Sequence, residues 1–409
     1  MLIPSIDLYN GQAVQWRQGK EKVIARDDIF ELLEKFSLYG EIALIDLNAA
    51  LNQGNNTELI KKILQKIPCR VGGGIRNKQI AIDYLKSGAT KIIIGTAAKE
   101  NWVSELNKES IIIAIDAEND ELCNNGWTHK TGENVLDVME NLSYKCSEFL
   151  YTQILKEGML QGIDRERISK IIYNSSVPLT IAGGISTQDD INFINQQGAN
   201  CQIGMAIYTN FLSLDDAFIA NLSFNKNDLI PTIVQDIDTK EVLMLAYSNE
   251  ISLRMAFQSR KGVYWSRSRN KLWIKGENSN NFQKLIRADF DCDGDSLIFQ
   301  VQQVNKACHL KRWSCFSSQR NQFSLSSLEK IIENKINELN LNSFTSKLFL
   351  DKNLRFEKLR EETEELIEAV HYEHVRWESA DLLYFLLVDA KSKGVSYKDI
   401  VNELRARTK

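Results

Sequence analysis

Residues 289–297, DFDCDGDSL, place an aspartate at every second position around one cysteine. On an extended chain alternate side chains share a face, so Asp291, Asp293 and Asp295 would point one way and Cys292 the other. Carboxylate oxygens suit a hard cation such as Mg²⁺, whereas a thiolate suits Zn²⁺. The run therefore predicts a strand that serves two different metals, with the remaining ligands supplied from elsewhere in the chain.

A calcium loop of the helix-loop-helix kind is the alternative interpretation of this run. Asp289, Asp291, Asp293 and Gly294 fit the first six positions of such a loop. The twelfth position, however, is Gln300 instead of a bidentate glutamate. The apolar, β-branched residues that follow also indicate a strand where a helix should begin. The pattern therefore favours magnesium over calcium.

Two cysteines downstream complete a second candidate ligand set. Cys308 and Cys315 join Cys292 to make three thiols, and three protein ligands with an open fourth position are typical of catalytic zinc. Any one of them alone would more often be a buried structural cysteine. The basic residues that could hold a phosphate nearby are Arg267, Arg269 and Lys275.

The first 210 residues contain an internal repeat. The stretch VGGGIR from Val71 aligns with IAGGIS from Ile181, and the offset that relates them also carries Asp7 onto Asp116. Each half alternates short β-rich runs with amphipathic stretches of helical length, which is the pattern of βα units on a parallel sheet. Two equal halves predict a closed (β/α)8 barrel, in preference to a doubly wound sheet.

Catalytic groups in such barrels lie at the C-terminal ends of the strands, where Asp7 and Asp116 both fall. Paired carboxylates on opposite sides suit general acid and general base catalysis. The glycine-rich turns of both halves predict two phosphate sites, and hence an elongated substrate with a phosphate at each end. The residues of these sites are Gly74, Arg76, Gly95 and Thr96 in the first half and Gly183, Gly184 and Gly204 in the second.

From about residue 325 the sequence is helical, with carboxylates at helical-neighbour spacing. A glutamate-rich helix is often only a solvated face. Asp381, however, lies on an otherwise apolar helix, where an unpaired carboxylate is costly. Facing helices of a bundle can hold Mg²⁺ between such groups. The predicted ligands are Glu361, Glu362, Glu365, Glu378 and Asp381.

Residues 1–222 resemble the histidine-pathway isomerase that acts on the phosphoribosylformimino-aminoimidazole-carboxamide ribotide, with the related cyclase barrel as the second choice. The resemblance lies in IPSIDLYNGQAVQWRQG, GGGIR, YTQILKEG and AGGIS. It implies an Amadori rearrangement of aldose to ketose without a cofactor. Asp7 would be the general base, Asp116 the general acid and Thr152 an assisting residue. Glu157 stands where the family usually has aspartate.

Residues 223–322 resemble phosphoribosyl-AMP cyclohydrolase, through YWSRSR, LWIKGE, DCDGD, ACH and SCF in that order. The resemblance implies Mg²⁺ on the three aspartates and Zn²⁺ on the three cysteines. It also implies a homodimer in which Cys292 comes from the other subunit. Zinc-bound hydroxide would attack and open the adenine ring, with His309 assisting proton transfer.

Residues 323–409 resemble phosphoribosyl-ATP pyrophosphatase, an all-α enzyme, through SFTSKL, KLREETEELIEA and ESADLLYFLL. The resemblance implies cleavage of the bond between the α and β phosphates with Mg²⁺. The residues that would contact phosphates are Ser343, Thr345, Lys347 and Lys358.

Composition sets the remaining limits. A net charge of −4 argues against nonspecific binding to nucleic acid or acidic lipid. The sequence lacks an apolar run of about 18 residues, so we expect no membrane span. Seven irregularly spaced cysteines indicate a reducing cytoplasm.

Together these patterns predict a multidomain, multifunctional enzyme of histidine biosynthesis that acts on phosphoribosyl nucleotides. The alternative is a bifunctional cyclohydrolase and pyrophosphatase whose barrel is inactive or cyclase-like. Two other classes are less consistent with the sequence. One is a metal-stabilised regulatory protein with decayed sites, and the other is a nucleic-acid-binding zinc protein, for which paired CxxC or CxxH spacings are lacking.

Overall fold

The computed structural model describes residues 1–224, 228–316, 323–338 and 343–408. It divides into two compact units, residues 1–320 with 406–409, and residues 321–405. Within the described parts of the chain, none of the helices combines the length and the apolar character that a membrane crossing requires.

The first unit contains strands and short helices. Its strands are β1 (Leu2–Tyr9), β2 (Gln12–Arg17), β3 (Glu21–Arg26), β4 (Ile42–Asp46), β5 (Cys69–Gly72), β6 (Ile92–Ile94), β7 (Ile111–Glu118), β8 (Glu121–Asn124), β9 (His129–Asn134), β10 (Glu148–Gln153), β11 (Leu179–Ala182), β12 (Asn200–Ile203), β13 (Ile230–Asp236), β14 (Val242–Ser248), β15 (Val263–Ser266), β16 (Lys271–Ile274), β17 (Gln283–Phe290) and β18 (Leu297–Gln303). Its α-helices are α1 (Ile29–Phe36), α2 (Leu47–Ala50), α3 (Thr57–Lys66), α4 (Lys78–Lys86), α5 (Val135–Leu142), α6 (Arg165–Asn174), α7 (Gln188–Gln196), α8 (Met205–Tyr208), α9 (Leu214–Ile219) and α10 (Glu250–Ser259).

Eight parallel strands close into a barrel in the order β1, β4, β5, β6, β7, β10, β11, β12. The pairings of β7 with β10 and of β12 with β1 complete the circle. The antiparallel hairpins β2–β3 and β8–β9 follow β1 and β7, which are the strands that the internal repeat relates. The predicted (β/α)8 barrel is confirmed.

The two-residue period of the strands separates the barrel interior from its helical coat. Ile112, together with Leu150 of β10, belongs to a small apolar cluster that is distinct from the main core. Ile111 and Ile113 of the same strand instead join the main core. Asp116 lies two positions beyond Ala114 on the interior face, so the alternation directs its carboxylate into the barrel.

The N-terminal ends of the strands are closed by a buried ionic network. The Arg70 guanidinium of β5 is only 2% exposed. It donates to the Glu148 carboxylate of β10 at 2.6 Å and to the Glu41 carboxylate at 2.9 Å. Charged groups at this depth are tolerated because each is paired. This end of the barrel therefore serves stability, and the chemistry is left to the opposite end.

A four-stranded mixed sheet, in the order β14, β13, β18, β17, follows the barrel within the same unit. Helix α9 buries Phe218, whose ring lies 5.2 Å from both Phe257 of α10 and Phe290 of β17. Tyr39 of the barrel adds a further edge contact with Phe257 at 5.5 Å. The barrel and this sheet consequently share one apolar core, and the boundary at residue 222 stays a prediction.

The prediction that DFDCDGDSL is a strand is wrong beyond Phe290, where β17 ends. Residues 291–296, the aspartate loop, connect β17 to β18 as a hairpin turn. The Asp291 carboxylate accepts the Ser296 N–H at 3.1 Å, and Gly294 has a φ of +70°. The left-handed conformation of Gly294 reverses the chain. Aspartates at every second position fit a strand as well as this turn, so their spacing alone did not predict the turn.

The second unit is helical, as predicted, with α11 (Leu325–Asn337), α12 (Phe344–Leu350), α13 (Lys352–Glu368), α14 (Tyr372–Ser392) and all but the last two residues of α15 (Tyr397–Arg407). Its buried core contains Ile332, Leu348, Phe385, Leu387 and Val388. The buried Arg355 guanidinium of α13 donates to the Leu348 and Phe349 carbonyls at 2.7 and 2.6 Å. These two bonds fix the first turn of α13, the helix that carries the predicted ligands Glu361, Glu362 and Glu365.

Candidate active sites

The barrel contains a cavity of about 290 Å³ at the C-terminal ends of its strands, and Asp7, Asp116 and Thr152 all line it. Asp7 lies on β1 and Asp116 on β7, which are four strands apart in the circle of eight and hence on opposite sides. Thr152 of β10 is the register partner of Asp116. The structure thus brings together the three predicted catalytic residues of the barrel.

Burial raises the pKa of the Asp7 carboxyl to about 7. Burial also raises the pKa of Asp116, although hydrogen bonds from the Trp127 and Thr152 side chains oppose the increase. A carboxyl group with a pKa near neutrality can both accept and donate protons at physiological pH. Asp7 can therefore exchange a proton with a substrate at this pH, and Asp116 faces it across the same cavity.

Glu157 is a third carboxyl in the same cavity that the sequence analysis did not place among the site residues. Burial raises its pKa to about 8, and the charges of Asp7 and Asp116 add to the effect. The only sequence signal for it is its position after the YTQILK stretch, where the resembling family has aspartate. Three mutually repelling carboxyls retain at least one proton near neutral pH.

The glycine-rich turns of both halves have matching geometry. A Cβ on Gly73 would lie 2.3 Å from the carbonyl oxygen of Asp46, and one on Gly183 would lie 2.5 Å from that of Gln153. These carbonyls belong to the last residues of β4 and β10, so the same close approach occurs in each half of the repeat.

The predicted phosphate residues fall on two sides of the barrel mouth. The residues that line the larger cavity are Gly74, Arg76, Gly95 and Thr96, and those that line a second, smaller one are Gly183, Gly184 and Gly204. Arg76 is already engaged, because its guanidinium donates to the Ala49 and Ala50 carbonyls at 2.9 and 3.0 Å.

The aspartate loop gathers its carboxylates. Oxygen atoms of Asp291, Asp293 and Asp295 all lie within 4.8 Å of one another, and all three residues are exposed. The charges of Asp293 and Asp291 raise the pKa of Asp295. Three hard oxygen donors that repel one another at this separation fit a divalent cation.

The three predicted zinc ligands are only partly assembled within one chain. The Cys308 and Cys315 thiols are hydrogen-bonded to each other, and burial together with the Cys308 charge raises the pKa of Cys315. Cys292 is exposed on the aspartate loop. Among the described residues, its sulfur does not form a group within 4.8 Å of the other two. The Cys308 and Cys315 thiols are two of the three protein ligands that a catalytic zinc site needs, so a third ligand must approach them from elsewhere.

Residues next to the thiols form a cavity of about 930 Å³, which Arg269, Lys275, Cys308 and His309 line together. Lys275 is buried, and burial lowers its pKa while the nearby Cys315 and Cys308 thiolates raise it. Arg267 does not line this cavity, because its guanidinium stacks 3.8 Å from the centroid of the Tyr247 ring. The structure thus groups Arg269 and Lys275 with the thiols and separates Arg267 from them.

In the helical unit, carboxylate oxygens of Glu362, Glu365 and Glu378 lie within 4.8 Å of one another. Glu378 is 5% exposed, and its Oε2 is buried without a hydrogen-bond partner. Its Oε1 lies 3.0 Å from His374 Nε2. An unpaired buried carboxylate oxygen beside two further carboxylates fits a divalent cation.

The two other predicted ligands lie outside this trio. Glu361 accepts from Lys358 Nζ at 2.7 Å, so each of these two side chains neutralises the other. Asp381 is close enough to Glu362 to raise the pKa of Glu362, after the larger effect of burial. Asp381 therefore borders the cluster.

Three of the four predicted phosphate residues of this unit lie at the start of α12, and the fourth, Lys358, lies on α13. Ser343 is the N-cap residue and Lys347 is exposed. The Thr345 hydroxyl lies 2.8 Å from that of Tyr384 on α14. Tyr384 is three residues beyond Asp381, hence on the same helical face, so Thr345 approaches the face that borders the carboxylates.

Three family models match the chain in succession. They are histidine biosynthesis protein over residues 1–213, phosphoribosyl-AMP cyclohydrolase over residues 244–317 and phosphoribosyl-ATP pyrophosphohydrolase over residues 325–408. The latter two families use metal ions. Each match covers one of the three clusters of candidate residues.

Individual relatives divide in the same way. A histidine biosynthesis trifunctional protein of Kluyveromyces lactis is 30% identical over 318 residues, which is 76% of this chain but 39% of the relative. A phosphoribosyl imidazole-4-carboxamide isomerase of Methanocaldococcus jannaschii is 32% identical over 230 residues, 53% of this chain and 97% of the relative. The histidine biosynthesis bifunctional protein HisIE of Caldanaerobacter subterraneus is 39% identical over 204 residues, 47% of this chain and 98% of the relative.

The resemblances found in the sequence are therefore confirmed at the level of the family. The first model covers residues 1–213 of a chain of 409, and the barrel that it describes is present with its carboxylates in the cavity. The chain belongs to the histidine biosynthesis protein family.

Proposed function

We propose that this chain catalyses three consecutive steps of histidine biosynthesis on phosphoribosyl nucleotides. The helical unit hydrolyses phosphoribosyl-ATP to phosphoribosyl-AMP and diphosphate, residues 223–322 open the adenine ring, and the barrel isomerises the product. One observation carries the proposal. Each of three distinct clusters of chemically competent residues lies inside one of three successive family matches.

In the barrel, Asp116 donates a proton to the ring oxygen of the aldose, so that the bond between this oxygen and C1 breaks and C1 forms an imine. Asp7 then removes the proton from C2, which gives the enaminol that becomes the ketose. The opposite placement of the two strands lets both act on one sugar. Thr152 positions Asp116 through its hydrogen bond. The glycines let the two turns pack tightly against the ends of β4 and β10, and the N–H groups of these turns bind a phosphate at each end of the substrate.

For ring opening, Cys308 and Cys315 hold zinc together with a further cysteine ligand, and the aspartate loop holds magnesium. Zinc held there would supply a water whose pKa is lowered to about 7. His309 lines the same cavity and would donate a proton to the purine. Arg269 and Lys275 bind the phosphate of the nucleotide in that cavity.

In the helical unit, Glu362, Glu365 and Glu378 hold magnesium, and Asp381 at their border completes the acidic set. Bound magnesium neutralises charge on the phosphates and orients a water. Ser343, Thr345 and Lys347, at the start of α12, contact the phosphates of the nucleotide. Lys358 joins them if substrate phosphate replaces its present partner Glu361.

The zinc site requires a second copy of the chain. Cys292 is exposed and separate from the other two thiols, so the partner subunit's Cys292 completes the site in a homodimer. All seven cysteines are free thiols in the structure, which suits a reducing cytoplasm.

The test is to supply phosphoribosyl-ATP, magnesium and zinc to the purified chain and to follow the products by mass. We expect diphosphate, then the ring-opened ribotide, then its ketose isomer. Accumulation of the ring-opened aldose would contradict the isomerase function and favour the bifunctional alternative. Recovery of unchanged phosphoribosyl-ATP would contradict the entire proposal.

A further inference from the structure

We propose that residues 221–223, the segment that follows the last barrel helix, hold the aspartate loop in its cation-binding shape. Ser223 and Gly294 are the positioning residues of this contact. The inference rests on the proposed magnesium site of the loop, and it makes cation binding there depend on the barrel.

Two hydrogen bonds connect this segment to the loop. The Ser223 N–H donates to the Gly294 carbonyl at 2.7 Å, and the Ser223 hydroxyl donates to the Asp293 carbonyl at 3.1 Å. Both bonds use backbone carbonyls of the loop. The carboxylates of Asp291, Asp293 and Asp295 therefore remain available to a cation.

The segment also approaches the loop so closely that only glycine fits at the contact. Gly294 is buried, although the three aspartates around it are exposed. A Cβ at Gly294 would lie 2.3 Å from the Asn221 carbonyl oxygen. The turn requires a φ of +70° at this position, and the neighbouring segment independently requires the absence of a side chain.

Asn221 is itself fixed to the barrel. Its side-chain amide donates to the Ala217 carbonyl at 2.6 Å and accepts from the Asn195 amide at 2.6 Å. In the helix that carries Ala217, Phe218 packs on Phe290, the residue immediately before the loop. Contacts thus connect helices α7 and α9 of the barrel to Asn221, which approaches Gly294, and to Phe290, which precedes the loop.

The physical reason for such an anchor is the repulsion among three carboxylates within 4.8 Å. Without a cation, the repulsion favours an open loop. The free energy needed to close the loop would then be subtracted from the free energy of cation binding. Bonds from outside the loop offset that cost before the cation arrives. Loss of one hydrogen bond should therefore weaken binding by about two- to tenfold.

The experiment measures Mg²⁺ binding to the full chain by calorimetry, together with the Mg²⁺ concentration that gives half-maximal ring opening. Ser223→Pro removes the N–H and the hydroxyl, Ser223→Ala removes only the hydroxyl, and Ser223→Thr retains both donors. We expect the Mg²⁺ dissociation constant and the half-maximal Mg²⁺ concentration both to rise, by about two- to tenfold for alanine, which loses one bond, and by about four- to 100-fold for proline, which loses two. Threonine should behave as wild type. The ring-opening kcat at saturating Mg²⁺ should stay unchanged.

Three controls separate this effect from unfolding and from the other magnesium site. The heat of Mg²⁺ binding that is lost in Asp293→Asn is the heat of binding at the aspartate loop. Ser259→Ala removes a hydroxyl that bonds within α10, and it should change nothing. Release of diphosphate from phosphoribosyl-ATP should keep its own Mg²⁺ dependence in all Ser223 variants.

Unchanged loop binding in Ser223→Pro and in Gly294→Ala would overturn the inference. A fall in kcat without a shift in Mg²⁺ dependence would also overturn it, since that is a structural effect. If Ser223→Pro fails to fold, the alanine and threonine pair decides. If the wild-type chain opens no purine ring, the proposed function fails, while the calorimetry still tests the anchor.

Discussion

Asp7 is the residue at which function and stability oppose each other. Its carboxyl lines the cavity and is half-buried, and burial raises its pKa from 3.8 to about 7. We expect Asp7→Asn to reduce isomerisation by about 10²- to 10⁴-fold, the usual contribution of a general base. Diphosphate release and ring opening should continue, because their residues lie elsewhere. Separate product assays with each intermediate would measure the three activities.

The same substitution should stabilise the barrel at neutral pH. The unfolded carboxyl loses its proton near pH 3.8, whereas the folded one keeps it until about pH 7. Wild-type stability therefore falls as pH rises through this window and is constant above it. The gain in melting temperature of Asp7→Asn should accordingly be larger at pH 8 than at pH 4. An equal gain at both pH values would show that Asp7 ionises in the folded chain as it does in water.

Cys308 lies at the boundary between the thiol pair and the nucleotide cavity. We expect Cys308→Ser to abolish ring opening and to reduce bound zinc, since a thiolate is the better zinc ligand. Phosphoribosyl-AMP should then accumulate from phosphoribosyl-ATP at the wild-type rate. Cys146→Ser is a matched control, because Cys146 is a buried barrel thiol outside all three sites. Loss of diphosphate release in Cys308→Ser would contradict separate sites.

At the scale of elements, the ends of β5 and β10 are joined by the buried pair of Arg70 and Glu148. We expect Arg70→Met to destabilise the barrel by about 3–5 kcal/mol, because the Glu148 carboxylate then loses its buried counter-charge and keeps only the more exposed Lys91. Urea unfolding of the full chain, followed by tryptophan fluorescence, would measure the shift. Lys91→Met is the control, because Lys91 bonds the same carboxylate at 3.2 Å from a more exposed position. Equal losses in the two variants would contradict a special role for the buried guanidinium.

The elements also show why some features could be predicted from sequence and others could not. The repeat relates Asp7 to Asp116 through local periodicity, so the barrel and its opposed carboxyls followed from the sequence. Glu157 enters the cavity through long-range contacts instead. Its carbonyl accepts the Gln18 N–H at 3.0 Å, and a Cβ at Gly158 would lie 2.4 Å from the Trp16 carbonyl. The turn at Gly294 likewise depends on a neighbour, the Asn221 carbonyl, that is distant in sequence.

For the whole molecule, the proposed activities run in the reverse of the chain order, from the helical unit to the barrel. The proposed sites share no catalytic residue. The zinc site is the exception to independence, because one chain does not bring its three thiols together. If the zinc site is shared between two chains as proposed, concentration should affect ring opening more than the other two steps.

Mixing two inactive variants tests this arrangement directly. Cys292→Ser and Cys308→Ser should each lack ring opening as homodimers. In an isologous dimer that exchanges subunits, a mixed pair has one site with both changes and one site with none. Equal amounts of the two variants should thus recover about one quarter of wild-type activity, since half of the dimers are mixed and half of their sites are intact.

The measurement is ring opening of phosphoribosyl-AMP after co-refolding, with each variant alone carried through the same treatment. Recovery requires that Cys292 and Cys308 act across the subunit boundary. If no activity returns although exchange is demonstrated by differently tagged subunits, the three cysteines belong to one chain, and the aspartate loop must then move to bring Cys292 to the pair.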